Sequence, residues 1–186
     1  MTGVPAGTTA SNDNVHDIAY SYGRSSLGDF LAAIDDKGLC AVLLGAGRTS
    51  LLQDLSAAFP NKRLTLCDRP GRCDFILNAV TCLIERPAAS VAISISMQGS
   101  DYKQMVHAAL RQTRPGTTKT PEQIAAMIGV AAESAPYVRE CAAEDLLAVV
   151  MPFHRLQEEN GTSPAYRWGE ERRQLLLKRE AATWQG

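Results

Sequence analysis

Five side chains in this sequence could act as nucleophiles or soft metal ligands: Cys40, Cys67, Cys73, Cys82 and Cys141. A thiol does either job as a thiolate, which needs a neighbour that lowers its pKa. The count is odd, the spacings match no zinc pattern, and three of the five sit inside apolar runs. They therefore read as reduced cysteines packed as small core residues. Cys67 and Cys73 flank a turn-like Asp68-Arg69-Pro70-Gly71-Arg72, the one pairing that a metal or a redox couple could use. A second candidate set is cationic. Arg172, Arg173, Lys178 and Arg179 could form a small patch for phosphates. Its surroundings oppose that use, because residues 100–186 carry 11 Lys+Arg and 11 Asp+Glu. Cations supply most of the affinity for a DNA backbone.

The elements that must position these residues fall into two sets. From 17 to 45, Ile18, Tyr20 and Tyr22 alternate with small or polar residues, and the runs FLAAI and GLCAVLLG follow, parted by Asp35-Asp36-Lys37. This predicts a small antiparallel meander. Leu51, Leu52, Leu55, Ala58 and Phe59 take helical spacing and stop at Pro60. Phe75, Ile76, Ala79, Val80, Leu83 and Ile84 form another helical stripe. Val91, Ile93, Ile95 and Met97 alternate strictly with small residues, which predicts a half-buried strand.

Beyond residue 98 the pattern is helical. Tyr102, Met105, Val106, Ala109 and Leu110 share one face. Thr120 can cap a helix with Pro121 in its first turn and Ile124, Met127 and Ile128 inside. Ser134 can cap the next, giving the outline of a helix-turn-helix. LLAVVM is a buried run, a polar loop follows, and a last helix covers about 170–182.

The chain has 186 residues, 45% hydrophobic and 21% charged, with a net charge of −1. That suits a globular protein of one domain or two small ones. No run approaches the roughly 18 apolar residues of a membrane helix. Residues 1–15 are small, polar and turn-prone, without the character of a signal peptide, and read as a disordered tail.

Four segments carry a resemblance to a known family. They are SSLGDFLAAIDDKGLCAVLLG, GSDYKQMVHAALRQTRPGTTKTPEQIAAMIG, CAAEDLLAVVMPFHR and NGTSPAYRWGEERRQLLLKRE. In order and spacing, from about residue 18 to 182, they resemble the O6-alkylguanine-DNA alkyltransferases, especially the alkyltransferase half of the bacterial Ada proteins. The resemblance implies an α+β fold. Residues 16–98 would form a ribonuclease-H-like subdomain. Residues 99–186 would form a mostly helical, winged-helix-like domain with a helix-turn-helix.

It also implies a mechanism. A helix-turn-helix binds the minor groove, a tyrosine and an arginine help flip the damaged nucleotide, and a cysteine takes the alkyl group. A histidine held by a glutamate activates that cysteine through a water. Flipping is needed because O6 cannot be reached inside the base stack. Here Phe153 stands at the cysteine position, in Pro152-Phe153-His154-Arg155, and has no nucleophilic atom. His154 and Glu180 fall on the activating pair. The flipping tyrosine falls on Pro121. The arginine falls on Ala135, or on Pro136 when counted back from Pro152, and Arg139 is the nearest substitute. The family's asparagine falls on Glu144 or Asp145. Pro164-Ala165 replaces Ser-Gly in the active-site loop, where Tyr166 is kept to line the pocket.

The expectation is therefore a non-enzymatic, alkyltransferase-like protein with no cofactor and no metal. Its pocket would comprise Pro152, Phe153 and Tyr166. Thr120, Pro121, Ala135, Arg139, Arg155, Arg172 and Arg173 would face DNA. Partners would be duplex DNA, with O6-alkylguanine as the candidate lesion, or an unidentified protein, and no membrane. A cytoplasmic monomer is expected. The alternatives are a DNA-binding regulatory module of Ada type, and a pseudo-enzyme that works by protein interaction. Methyl transfer by Cys141 would need a thiol that the pattern places on a core-facing helix.

Overall fold

The computed structural model describes residues 17–68, 70–97, 99–163 and 166–183. The expected tail at 1–15 and the loop pair Pro164-Ala165 lie outside them. Three strands form the expected meander: β1 (Ile18–Ser25), β2 (Gly28–Ile34) and β3 (Leu39–Gly45). Helix α1 (Arg48–Ala58) follows. A short strand that sequence reasoning missed, β4 (Leu64–Leu66), pairs parallel with β1 and completes a sheet of order β3-β2-β1-β4. Helix α2 (Pro70–Glu85) begins a turn earlier than its apolar stripe.

Strand β3 is buried along nearly its whole length, and its outer edge is shared by two other segments. Leu39 exchanges backbone hydrogen bonds with Ser94 and Ser96 at 2.9 Å each. Further along, the Val42 N–H donates to the Leu146 carbonyl at 2.6 Å, and the Ala148 N–H donates back to Val42 at 3.1 Å. Residues 91–97 are therefore no regular strand. The expected alternation holds from Val91 to Ile95 and breaks at the buried Ser96, and the segment reaches the sheet only around Ile95, because the rest of that edge is taken by 146–148.

The remaining helices are α3 (Asp101–Gln112), α4 (Pro121–Met127), α5 (Ala135–Ala143) and α6 (Glu170–Thr183). Thr120 caps α4 as expected. Its side chain accepts from the Gln123 N–H, and the Gln123 side chain accepts from the Thr120 N–H. That reciprocal pair satisfies two otherwise orphaned donors. One buried cluster runs from the sheet through α3, α4 and α5 to Phe153, Tyr166, Trp168 and Leu176. Phe75, Met105 and Met127, expected inside, are exposed instead.

The cysteines divide. Cys40, Cys82 and Cys141 are free. Cys67 and Cys73 are joined as a disulfide, with Cα atoms 6.5 Å apart, which corrects the reading of five reduced thiols. The link arises because the chain leaves β4 and turns at once into α2, which brings the two ends of a six-residue separation together. Alkylation of the denatured, unreduced full chain should label three cysteines, and all five after reduction. Five labels without reductant would contradict the pairing.

Candidate functional site

The chain approaches Phe153 through a strained turn. Val149 has φ 61°, which costs a β-branched residue on the order of 1–3 kcal/mol. The turn is held by its attachment to β3 and by the Met151 N–H donating to the Leu147 carbonyl at 2.9 Å. It delivers Pro152 and a short 3-10 turn, Phe153–Arg155, into the interior.

Phe153 is 0% exposed and among the largest fully buried side chains. Its ring meets the edge of His107, with centroids 5.4 Å apart and planes at 78°. The cavity beside this turn, about 250 Å³, is lined by Val149, Val150, Pro152 and Arg155, with Arg111, and not by Phe153. Phe153 therefore packs as core and leaves its ring no open mouth.

His154 and Glu180 come together, each fully buried, with Nε2 and Oε1 2.8 Å apart. Burial disfavours the imidazolium and holds the His154 pKa below its usual value, so the ring is neutral. Glu180 accepts the bond, so the proton sits on Nε2. Nδ1 then has no partner among the described residues. Arg155 meets the same carboxylate twice, through Nη2 at 2.8 Å and Nε at 3.1 Å, and its Nη1 donates to the Thr113 carbonyl at 2.7 Å. The Gly116 N–H adds a fourth donor at 2.8 Å. Gly116 has φ +75° and sits against the Ala181 backbone, which suits glycine. Burial alone would raise the Glu180 pKa, but the bonds from His154 and Arg155 overcome it and bring it to about 2.

Asp145 is buried at the end of α5. It accepts from the Leu147 N–H at 2.9 Å and from Trp168 Nε1 at 3.4 Å. Burial pushes its pKa up to about 6. Glu144, its neighbour, is exposed. Tyr166 is buried with a hydroxyl that has no partner among the described residues, and burial raises its pKa. His107 has both ring nitrogens unpartnered among the described residues, and burial pushes its pKa down to about 4. Sequence reasoning missed His107. Its signal was its place between Val106 and Leu110 on the apolar face of α3.

The residues expected to face DNA are not gathered on one surface. Pro121 and Ala135 are buried, and Thr120 is spent on its cap. Arg155 belongs to the Glu180 cluster. Arg139 is clamped between two carboxylates, with Nε 2.7 Å from Glu158 and Nη2 2.8 Å from Glu122.

Of the expected basic patch on α6, Lys178 is exposed, but the three arginines are drawn to acceptors within the fold. Arg173 is fully buried against Glu170 and Gln157. Arg172 donates to the Leu27 and Trp168 carbonyls. Arg179 donates to the Ile84 carbonyl and pairs with Glu85. Arg172 and Arg179 tie α6 to the sheet unit, and Arg173 ties it to the loop before it. Cys141 is buried, and burial raises its thiol pKa, which keeps it protonated.

Residues 101–182 match the family model described as 6-O-methylguanine DNA methyltransferase, DNA binding domain. The chain is 30% identical over 164 residues to the bifunctional transcriptional activator/DNA repair enzyme Ada of Escherichia coli (strain K12), covering 88% of this chain and 46% of that protein. It is 32% identical over 169 residues to the regulatory protein ada of Salmonella typhimurium, covering 91% of this chain and 47% of that protein. The chain thus spans about half the length of these two relatives. Among solved structures, the fold is similar to Mycobacterium tuberculosis OGT in complex with DNA, with TM-score 0.70 and 21% identity. That match covers 88% of this chain and 93% of the other.

The buried Asp145 makes a pH dependence. Its folded pKa of about 6 lies above its ordinary 3.8, so the folded state holds the proton more tightly. Stability from this group is full below about 3.8 and lost as pH rises through about 6. Asp145→Asn removes the buried charge but sets a donor against one of two N–H groups. It should stabilise the protein by about 1–2 kcal/mol at neutral pH, with the gain shrinking toward pH 4. Chemical denaturation of both proteins at several pH values measures the difference. A gain that does not vary with pH would refute the titration.

Proposed function

The chain belongs to the O6-alkylguanine-DNA alkyltransferase family, and we propose that it is a member that neither accepts an alkyl group nor houses a flipped base. The carrying observation is Phe153, fully enclosed at the acceptor position with its ring against His107. Carbon at that position offers no lone pair to attack an alkyl group. The ring also fills space that a captured base would need. The other positions agree. Pro121 has no hydroxyl to push a phosphate, and neither Ala135 nor Pro136 can fill a vacated base stack. What remains is a binding module on an alkyltransferase scaffold, with a ribonuclease-H-like first unit and a winged-helix-like second. The matched domain is a DNA-binding one, and the tuberculosis relative was solved with DNA, so duplex DNA is the first partner class to test.

A second reading keeps lesion recognition without transfer. Tyr166 Oη, His154 Nδ1 and both nitrogens of His107 are buried without partners among the described residues. Such atoms cost free energy unless something satisfies them. A base that displaced the Phe153 ring could do so.

Two measurements on the full chain decide between these. After incubation with an O6-methylguanine duplex, intact mass should show no added methyl. In competition at one fixed salt concentration, lesion and undamaged duplexes should behave alike. A methyl gain would overturn the proposal, and a clear lesion preference would favour the second reading.

A further inference from the structure

The outward face of the helix-turn-helix carries an uncommon set of side chains. Glu133, Tyr137, Glu140 and Glu144 follow helical spacing along one side of α5 and its flanks, and all four are exposed. Tyr137 is 61% exposed, which is high for a large aromatic. It is not loose. Its ring stands edge-on to Tyr102, with centroids 6.0 Å apart and planes at 71°. The Tyr102 hydroxyl donates to the Ser134 carbonyl at 3.2 Å. The aromatic is thereby held in a fixed orientation above the helix.

The charge of this face is one-sided. Residues 121–144 hold four carboxylates, Glu122, Glu133, Glu140 and Glu144, against one cation, Arg139. Arg139 is already paired with Glu122 and Glu158. Glu144 has Lys103 at 3.5 Å, but its side chain remains largely exposed. Among the described residues, no ion pair reaches Glu133 or Glu140. Two of these carboxylates also sit at the wrong end of the helix. Glu140 lies in the last turn of α5 and Glu144 is its C-cap, where the helix dipole is itself negative and disfavours acids. Helix stability does not account for them. Together with the dipole they make a negative, aromatic-centred surface.

That surface suits a cation and repels phosphates. We propose that the exposed face of α5 docks a Lys/Arg-rich segment of a protein partner, with a cationic side chain over Tyr137 and others against Glu133, Glu140 and Glu144. A ring flanked by carboxylates binds a cation by two routes at once: the quadrupole of the ring and the charges around it. The proposal rests on the reading that the interior site is closed, since a face built to seat duplex DNA for flipping would need the opposite sign.

The test uses the full chain and fluorescence anisotropy at about 0.15 M ionic strength. The probes are a short peptide of alternating Lys, Arg and Leu, its Glu-for-Lys/Arg counterpart, an undamaged duplex and an O6-methylguanine duplex. The cationic peptide should bind, and its acidic counterpart should not. Tyr137→Ala should weaken peptide binding about threefold to fivefold, as loss of an exposed cation–π contact does. The double variant Glu133→Lys with Glu140→Lys should weaken it about tenfold or more. Asp54→Lys with Glu171→Lys makes the same charge change on other exposed helices and should leave binding nearly unchanged.

Equal loss in the two double variants would mean that net charge alone attracts the peptide, and would overturn the proposal. So would wild-type binding to the undamaged duplex that is tighter than to the peptide. Absence of peptide binding with no preference between duplexes would sink the docking inference and leave the closed site standing. Preference for the lesion duplex would sink the closed site itself.

Discussion

The carboxylate of Glu180 is the point on which the second half of the fold converges. A lone buried carboxylate would be too costly to keep charged. Four donors make it affordable, and they come from two stretches of chain: His154 Nε2 with Arg155 Nε and Nη2 from one, and the Gly116 N–H from the other, with Thr113 holding the far side of Arg155. The end of α3, the turn after it, the acceptor segment and α6 are thereby fixed to one another. Removing one partner from such a cluster leaves a charge buried and unpaired, on the order of 3–5 kcal/mol. His154 and Glu180 are thereby as much structural as chemical residues. His154 and Glu180 have a structural task that does not depend on Phe153 being a cysteine.

The acceptor position shows the converse. The bonds of the Glu180 cluster come from His154, Arg155 and Gly116 and use no atom of the side chain at 153, so the clamp itself requires no particular residue there. What it must do is fill the space beside His107, and an aromatic ring does so. The cost appears elsewhere, in polar atoms on His107, His154 and Tyr166 that have no partner among the described residues. A neutral imidazole with both nitrogens unsatisfied is a poor core residue, and its pKa of about 4 expresses that penalty in acid. The interior thus reads as a polar site filled by an apolar plug.

Much of this was legible in the sequence, because it rests on local rules. Alternation and helical spacing placed β1 to β3 and all six helices, and the cap at Thr120 followed from its neighbours. The substitutions at 121 and 153 were visible as residue types. What was not legible depended on distant partners. Three residues of β4 carry too little pattern to stand out, and its pairing with β1 comes from chain reversal through α1. Residues 91–97 look like a strand until another segment claims part of the same edge. The arginines misled most. Arg155, Arg172, Arg173 and Arg179 read as surface cations, yet each finds carbonyl or carboxylate acceptors that only the folded chain supplies. Long guanidinium side chains satisfy several acceptors at once, which makes them effective struts between units.

The use of those cations as struts bears on the binding surface. Four second-half arginines, Arg155, Arg172, Arg173 and Arg179, are spent on acceptors within the fold and so do not offset the carboxylates of α5. The charge on the face of α5 is therefore a consequence of how α6 and the acceptor segment are anchored, as well as of the residues on α5 itself. Phosphate binding needs cations that can approach a backbone, and Arg139, the one cation on α5, is held by two acids instead. Reversing the sign of that face would require freeing Arg139 and replacing Glu133 and Glu140, none of which disturbs the buried clamp. Fold and surface are separable in this protein. The scaffold can keep the family's architecture under strict constraint at Glu180 while the face that would meet DNA is free to take another partner.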